Sequence, residues 1–315
     1  MKKRRILLAL IMLIISGISL TTATYAWFTA NRQVTVDEID VKAQASGGIQ
    51  ISADATNWSN QVTLDDLRAE TLANNYIPTT ALKPVTTIGV NTNAGRKGNG
   101  AFDFFLGELN DSGDKVKLTS IDDNSGNYVA FDLYFYSATP QTIEFNSGTQ
   151  VVAKNVDTPA SAATDTGLKS SVRVGFLIQG NDPTSTPATA IGLNGGTVST
   201  QTIWEPNADI HTEYAENMLG ASGVMTTMGG KAPTNDLEVV TDSSTYFENI
   251  DASKGLKTST LAEAYPSGTL FQFQAGITKV RVYIWLEGQD IDNEDTASLG
   301  TGVGVKLNFK IADGA

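Results

Sequence analysis

The chain has 315 residues, a formal net charge of −12, no cysteine and a single histidine. Disulfides and thiolate chemistry are therefore excluded, and so is a zinc centre built on several histidines. So acidic a chain also repels nucleic acid and anionic lipid, and nucleic acid is not expected as a partner.

Met1-Lys2-Lys3-Arg4-Arg5 precede an apolar run from Ile6 to Leu20, and small residues follow at Thr21, Ala23, Thr24 and Ala26. A basic start, an apolar run and a small-residue site form the pattern of a secretory signal peptide. Cleavage after Ala26 uses Thr24 and Ala26, and cleavage after Ala23 uses Thr21 and Ala23. Left uncut, Ile6 to Phe28 is long enough to span a bilayer of about 30 Å, with Tyr25, Trp27 and Phe28 at its outer interface. Ser16, Gly17 and Thr21-Thr22 interrupt that span. Residues 1–26 are thus expected to be a signal peptide removed by signal peptidase, with the membrane touched only through the leader before cleavage. The product is secreted, extracellular or at the cell surface. Losing the four basic residues of the leader leaves 18 basic against 34 acidic residues, a net charge near −16.

Residues 27–45 read as an extended arm ahead of the folded domain. Trp27 and Phe28 come first and the polar "TANRQ" follows. Val34 and Val36 fall on one phase of an alternating pattern, whereas Ile39, Val41 and Ala43 fall on the other. The switch at Asp37-Glu38 predicts a bulge or two short strands. Such an arm has three fates: a place in its own sheet, retention in the membrane, or addition to the sheet of a neighbouring copy. The third fate buries Trp27 and Phe28 on a partner and covers a sheet edge that otherwise invites aggregation. Repeated head to tail, it builds an open filament.

From residue 46 to 315 the period is mostly two, as expected of strands with one face on a core. Val129-Phe131-Leu133-Phe135, Val280-Val282-Ile284-Leu286 and Val303-Val305-Leu307-Phe309-Ile311 alternate with the residues between them. Weaker strands are predicted over Ile49–Ala53, Phe102–Leu109, Thr142–Phe145, Val172–Ile178, Glu238–Thr241 and Leu270–Ile277. "NDSGDK" at Asn110–Lys115 and "DDNSGN" at Asp122–Asn127 have the composition of hairpin turns. Short helices are predicted over Leu64–Asn74 and Ala208–Leu219. Asn155–Leu168 and Gly180–Val198, rich in Thr, Ser, Pro, Ala and Gly, read as exposed loops. Strands do not alternate with long helices, so a parallel α/β fold is not expected. The pattern predicts one all-β domain, an antiparallel, jelly-roll-like sandwich with long loops and one or two short helices.

The residues that carry chemistry are few. The lone His211 sits in "NADIHTEYAEN" without an HExxH motif, and no G-x-S-x-G accompanies it. Paired carboxylates of the glycosidase kind have no specificity among 34 acidic residues. The densest acidic run is "EGQDIDNEDTASLG", in which Asp290, Asp292 and Asp295 could offer oxygens to calcium. It lacks the sixth-position Gly and twelfth-position Glu of an EF-hand loop, so a solvated loop is the simpler reading. Trp58 and Trp204 could stack on sugars, or pack at the core. We therefore expect no enzyme and no cofactor.

The stretch "TYAWFTANRQVTVDEIDVKAQASGGIQIS" resembles the start of the TasA/camelysin family, secreted proteins of Gram-positive bacteria. The matching positions are Tyr25, Ala26, Trp27 and Phe28, then Gly47, Gly48, Ile49, Ile51 and Ser52. The likeness covers about 30 residues and is architectural beyond them. It implies a jelly-roll sandwich and assembly into biofilm-matrix fibres, with an N-terminal strand docking into the next subunit. Members called camelysin are described as metalloproteases, but this chain lacks an ordinary zinc-protease motif, and that activity is not carried over. The expectation is an exported structural protein that forms extracellular fibres or a surface layer as a head-to-tail homopolymer. Trp27, Phe28, Val34, Val36, Ile39 and Val41 are its candidate assembly residues. The alternative is a monomeric cell-surface binding module, for example for carbohydrate.

Overall fold

The computed structural model describes residues 35–43, 48–72, 74–90, 101–109, 116–121, 126–155, 168–194, 201–206, 261–262, 270–288, 290 and 301–312. The leader with Ala26, the aromatics Trp27 and Phe28, and Val34, His211, Asp292 and Asp295 lie outside these residues. So do the strand predicted over Glu238–Thr241 and the helix predicted over Ala208–Leu219.

The fold is an all-β sandwich, as the alternation predicts. One sheet runs β13 (Phe271–Phe273), β8 (Gln141–Phe145), β15 (Thr301–Ile311), β1 (Val36–Ala43) and β3 (Gln61–Thr63), with β9 (Gln150–Asn155) also on β15. The second runs β12 (Leu261–Ala262), β11 (Gln201–Trp204), β10 (Val172–Asp182), β14 (Gly276–Leu286), β7 (Tyr128–Ser137) and β2 (Gln50–Ser52). Between them lies the main core. Val129, Phe131, Leu133 and Phe135 of β7 and Val280, Val282, Ile284 and Leu286 of β14 meet Val303, Val305, Leu307 and Phe309 of β15 there.

The period-two pattern led us to expect one covered face per strand, but the second sheet is covered on both. A third sheet, β4 (Thr86–Val90), β5 (Phe102–Leu109) and β6 (Val116–Ser120), supplies the second cover. Phe102 and Phe104 of β5 pack on Tyr128, Tyr283 and Trp285, the residues of β7 and β14 that point away from the main core. Nine of the ten residues of β7 are buried, Tyr128 and Ala130 of them by this cover, and only Tyr136 is intermediate. Aromatic rings supply much of the apolar area at this second interface.

Three short helices decorate the strands: α1 (Leu64–Leu67), α2 (Leu168–Ser171) and α3 (Pro187–Ile191). The predicted helix over Leu64–Asn74 is reduced to α1. Thr63 and Asp66 form a reciprocal capping box at its start. At its end the Asn75 side chain donates to the Leu67 carbonyl (3.0 Å) while its oxygen accepts from the Asp132 backbone N–H (2.9 Å). That carbonyl is thereby satisfied without a further turn.

Gly175, the fourth residue of β10, marks how tightly the layers meet. A Cβ there would collide with the Phe102 ring and lie 3.0 Å from Trp285 Cζ3. Overpacking of a filled core costs about 1–3 kcal/mol. Gly175→Ala should therefore lower the midpoint of thermal unfolding by several degrees, read by circular dichroism. An unchanged midpoint would mean that the third sheet does not press on the second.

Candidate assembly interface

Val36 before the phase slip and Ile39, Val41 and Ala43 after it fall in one strand. β1 pairs in parallel with β15, from Val36 opposite Val303 to Ala43 opposite Phe309, and the register shifts between Val36 and Glu38. The slip at Asp37-Glu38 is thus a bulge, the first of the two predicted outcomes. It turns Val36, Ile39, Val41 and Ala43 to the same side, where each is at most 4% exposed. On its other edge β1 pairs with β3 only at Asp40, Val41 and Lys42.

This placement corrects the expected boundary. Residues 27–45 were expected to lie outside the sandwich, with the domain starting at 46. Instead Val36, Ile39 and Val41 belong to the main core of their own chain. The physical reason is β15. Its edge toward β1 carries a row of backbone donors and acceptors, and its inward face carries Val303, Val305, Leu307 and Phe309, all within 1% of complete burial. A strand so placed needs a partner. The first described strand supplies it.

The outer face of the pair is built around the bulge. Asp37 and Glu38 lie over Gly302 and Gly304 of β15; a Cβ at Gly302 would collide with Asp37 Oδ2, and one at Gly304 would stand 2.8 Å from Lys154 Cε. Glu38 Oε2 sits 2.7 Å from Lys154 Nζ, and Glu38 Oε1 sits 3.4 Å from Lys306 Nζ. The hydrogen bond from Lys154, with both ammonium charges, holds the Glu38 carboxyl below the usual glutamate range against a smaller opposing effect of burial. Three strands, β1, β9 and β15, are tied together by this one carboxylate.

The remaining sequence candidates are dispersed. Asp290 is fully buried and pairs with Arg173 of β10, which also holds Glu205 at 2.9 Å and donates to the carbonyls of Ser170 (2.7 Å) and Val172 (3.1 Å). Glu287, also buried, accepts from Trp285 Nε1 at 3.1 Å. The start of the acidic run is therefore part of a buried ionic cluster rather than a solvated loop. Among the described residues no group of three or more His, Cys, Asp or Glu side chains is arranged to hold a metal ion. Trp204 is 1% exposed and packs on Phe145 with ring centroids 4.8 Å apart, so its ring is not available to a sugar. Trp58 is half-buried against Tyr136 at 5.8 Å. Arg173 was missed by sequence reading, since an isolated basic residue in an apolar strand carries no motif. Among the described residues no helix is long and apolar enough to cross a membrane.

Comparison with protein-family models, with curated proteins and with solved structures finds no match for this chain.

Two outcomes follow from the ionic contacts. Because Glu38 is depressed in the folded chain, its contribution is present above its unfolded-state pKa and is lost as the pH falls through its lower folded-state pKa. Lys154→Met should move the Glu38 titration upward by carboxyl NMR and shrink the loss of stability on acidification. An unmoved titration would mean that the pair is not formed in solution. Arg173→Leu leaves buried carboxylates without their cation, a change that costs about 3–5 kcal/mol. Its unfolding midpoint in urea should fall accordingly, and a wild-type midpoint would contradict the cluster.

Proposed function

We propose that the chain is an exported, non-enzymatic structural protein that assembles into extracellular fibres or a surface layer by exchange of β1 between copies. One observation carries the reading. The slot that β1 fills lies between β15 and β3, and β1 is joined to the rest of the sandwich by the short connection 44–49, which includes Gly48 at φ +81°. A glycine in that region tolerates changes of chain direction that other residues resist. A copy whose connection swings open presents an empty slot and a free strand, and another copy of β1 fits that slot with the same register and the same buried valines. Exchange of an identical element is a low-cost route to assembly, and a head-to-tail exchange does not close.

Closed monomer and open filament share the β1–β15 contacts, so what tips the balance must lie elsewhere. A short tether holds β1 near its own slot at an effective concentration of about millimolar. Fibres then require additional contacts in the filament, and Trp27 and Phe28 ahead of β1 are the candidates, buried on the recipient copy. The resemblance of Tyr25–Ser52 to the TasA/camelysin family supports this reading, as does the leader pattern.

A reversible lock tests it. Asp40 and Lys306 are direct partners across the β1–β15 pair, and the chain has no cysteine to interfere. Asp40→Cys with Lys306→Cys, oxidised as a monomer, should form no fibres by negative-stain microscopy, and reductant should restore them. Fibres from the locked monomer would contradict exchange, and absence of fibres from the unmodified exported chain would contradict assembly.

A further inference from the structure

At one end of the first sheet, on the rim formed by β1, β3, β15 and the turn after β8, lies an open cleft of about 360 Å³. Its wall carries the side-chain amides of Asn60, Gln61, Asn146 and Asn308 and the ammonium of Lys42, with Ala43 and Phe309 as the apolar part of the lining. Several of these groups are held in place. Asp40 accepts from Gln61 Nε2 through Oδ1 and pairs with Lys42 Nζ through Oδ2, both at 2.8 Å. One carboxylate thus fixes a neutral amide and neutralises the cation beside it. Asn308 donates from Nδ2 to the Ser147 carbonyl at 3.2 Å. Gly148, at φ +88°, lies so close that a Cβ would stand 2.8 Å from that nitrogen. With one N–H of each amide fixed in this way, the second N–H and the carbonyl oxygen of Gln61 and Asn308 are oriented toward the cleft's surroundings, and the exposed Asn60 amide adds donors and an acceptor.

The backbone around the cleft is already satisfied. Ala43 N–H donates to Asn60 O (3.0 Å), Asn146 N–H to Asn308 O (2.7 Å), and Asn308 N–H to Thr149 Oγ1 (3.0 Å). Lys42 is paired on both sides, to Gln61 and to Asn308. An added peptide strand needs unpaired backbone groups, and this rim does not offer them. A polyanion would meet Asp40 and a chain of net charge −12. What the cleft offers is a mixture of fixed donors and acceptors with little net charge. Hydroxyl groups, each both donor and acceptor, match that mixture.

We propose that this cleft binds a neutral, hydroxyl-rich glycan. The site is independent of β1 exchange, since its polar groups keep their places whether β1 comes from the same copy or another. Preorganisation by Asp40 and Gly148 reduces the ordering cost of binding.

The test uses the purified exported chain, labelled with nitrogen-15, and follows its side-chain amide resonances. The probes are cellotetraose, maltotetraose and the tetramer of N-acetylglucosamine, with glucose, N-acetylglucosamine and inorganic phosphate beside them. Saturable shifts at Asn60, Gln61 and Asn308 with at least one tetrasaccharide are expected, stronger than with its monosaccharide. Phosphate should produce none. Asn60→Ala with Gln61→Ala, both on the exposed rim, should weaken binding about tenfold, the loss of one or two net hydrogen bonds. The thermal midpoint of that double variant serves as the check on folding. No saturable shift with any tetrasaccharide would overturn the proposal. So would equal binding of the monosaccharide, shifts produced by phosphate, or undiminished binding by the folded double variant.

Discussion

The pairing of β1 with β15 is the constraint on which the sandwich rests. β15 is eleven residues long and runs through the middle of its sheet. One of its edges is shared between β9, along Thr301–Lys306, and β8, along Phe309–Ile311. The other is filled by β1 alone, in parallel, from Val303 to Phe309. Without β1 the sheet would carry an open edge beside four of its most buried apolar side chains, and β3 would lose the strand it pairs with. Two segments at opposite ends of the described chain are therefore held together by backbone bonds, by the valines beneath and by Glu38 with its two lysines above. Contacts between such distant segments are late and slow to form. A slot that waits for its strand is also a slot that a neighbour can fill.

Charges are buried in the second sheet, and each is matched. Asp132 of β7 takes Lys279 at 3.2 Å and Arg281 at 2.9 Å, both from β14. Lys279 Nζ also donates to the carbonyls of Ile191 and Leu193, at 3.0 and 2.8 Å, which ties the segment around α3 to the sheet. Burial of an unpaired charge would cost several kcal/mol, whereas a bonded one is tolerated. The segment around α3 and the turn at Asn74–Asn75 create the need for such pairing, because they cover this part of the sheet's outer face. Polar residues at the alternate positions of β7, β10 and β14 thus became interior, not surface, groups.

The parts of the fold that were legible in sequence are the long, strongly alternating ones. β5 falls on Phe102–Leu109 as predicted, and β7, β14 and β15 extend the predicted runs by a few residues. The slip of phase at Asp37-Glu38 was legible too, though only the structure decides between a bulge and two short strands, in favour of the bulge. β3, β4, β6, β9, β11 and β12 were not predicted, since two to six residues are too few for a period to stand out. Their positions are fixed by neighbours, as Gln150–Lys306 and Gln201–Leu177 pairings show. Periodicity also says which residues face one way but not what covers the other face, so the third sheet stayed hidden. For β1, the sequence put Val36 on one phase and Ile39 and Val41 on the other and placed all three outside the domain, because the partner lies more than two hundred residues away on β15. The buried Arg173 and the amide rim depend on contacts of the same long range.

The most direct measurement asks which copy's β1 sits beside which β15. The Asp40→Cys, Lys306→Cys chain would be assembled under reducing conditions, oxidised only afterwards, and denatured for electrophoresis. Exchange of β1 predicts a ladder of covalent multimers, since each bond then joins one copy to the next. A single band of internally bridged monomer from genuine fibres would contradict the account, because every β1 would have remained in its own sheet.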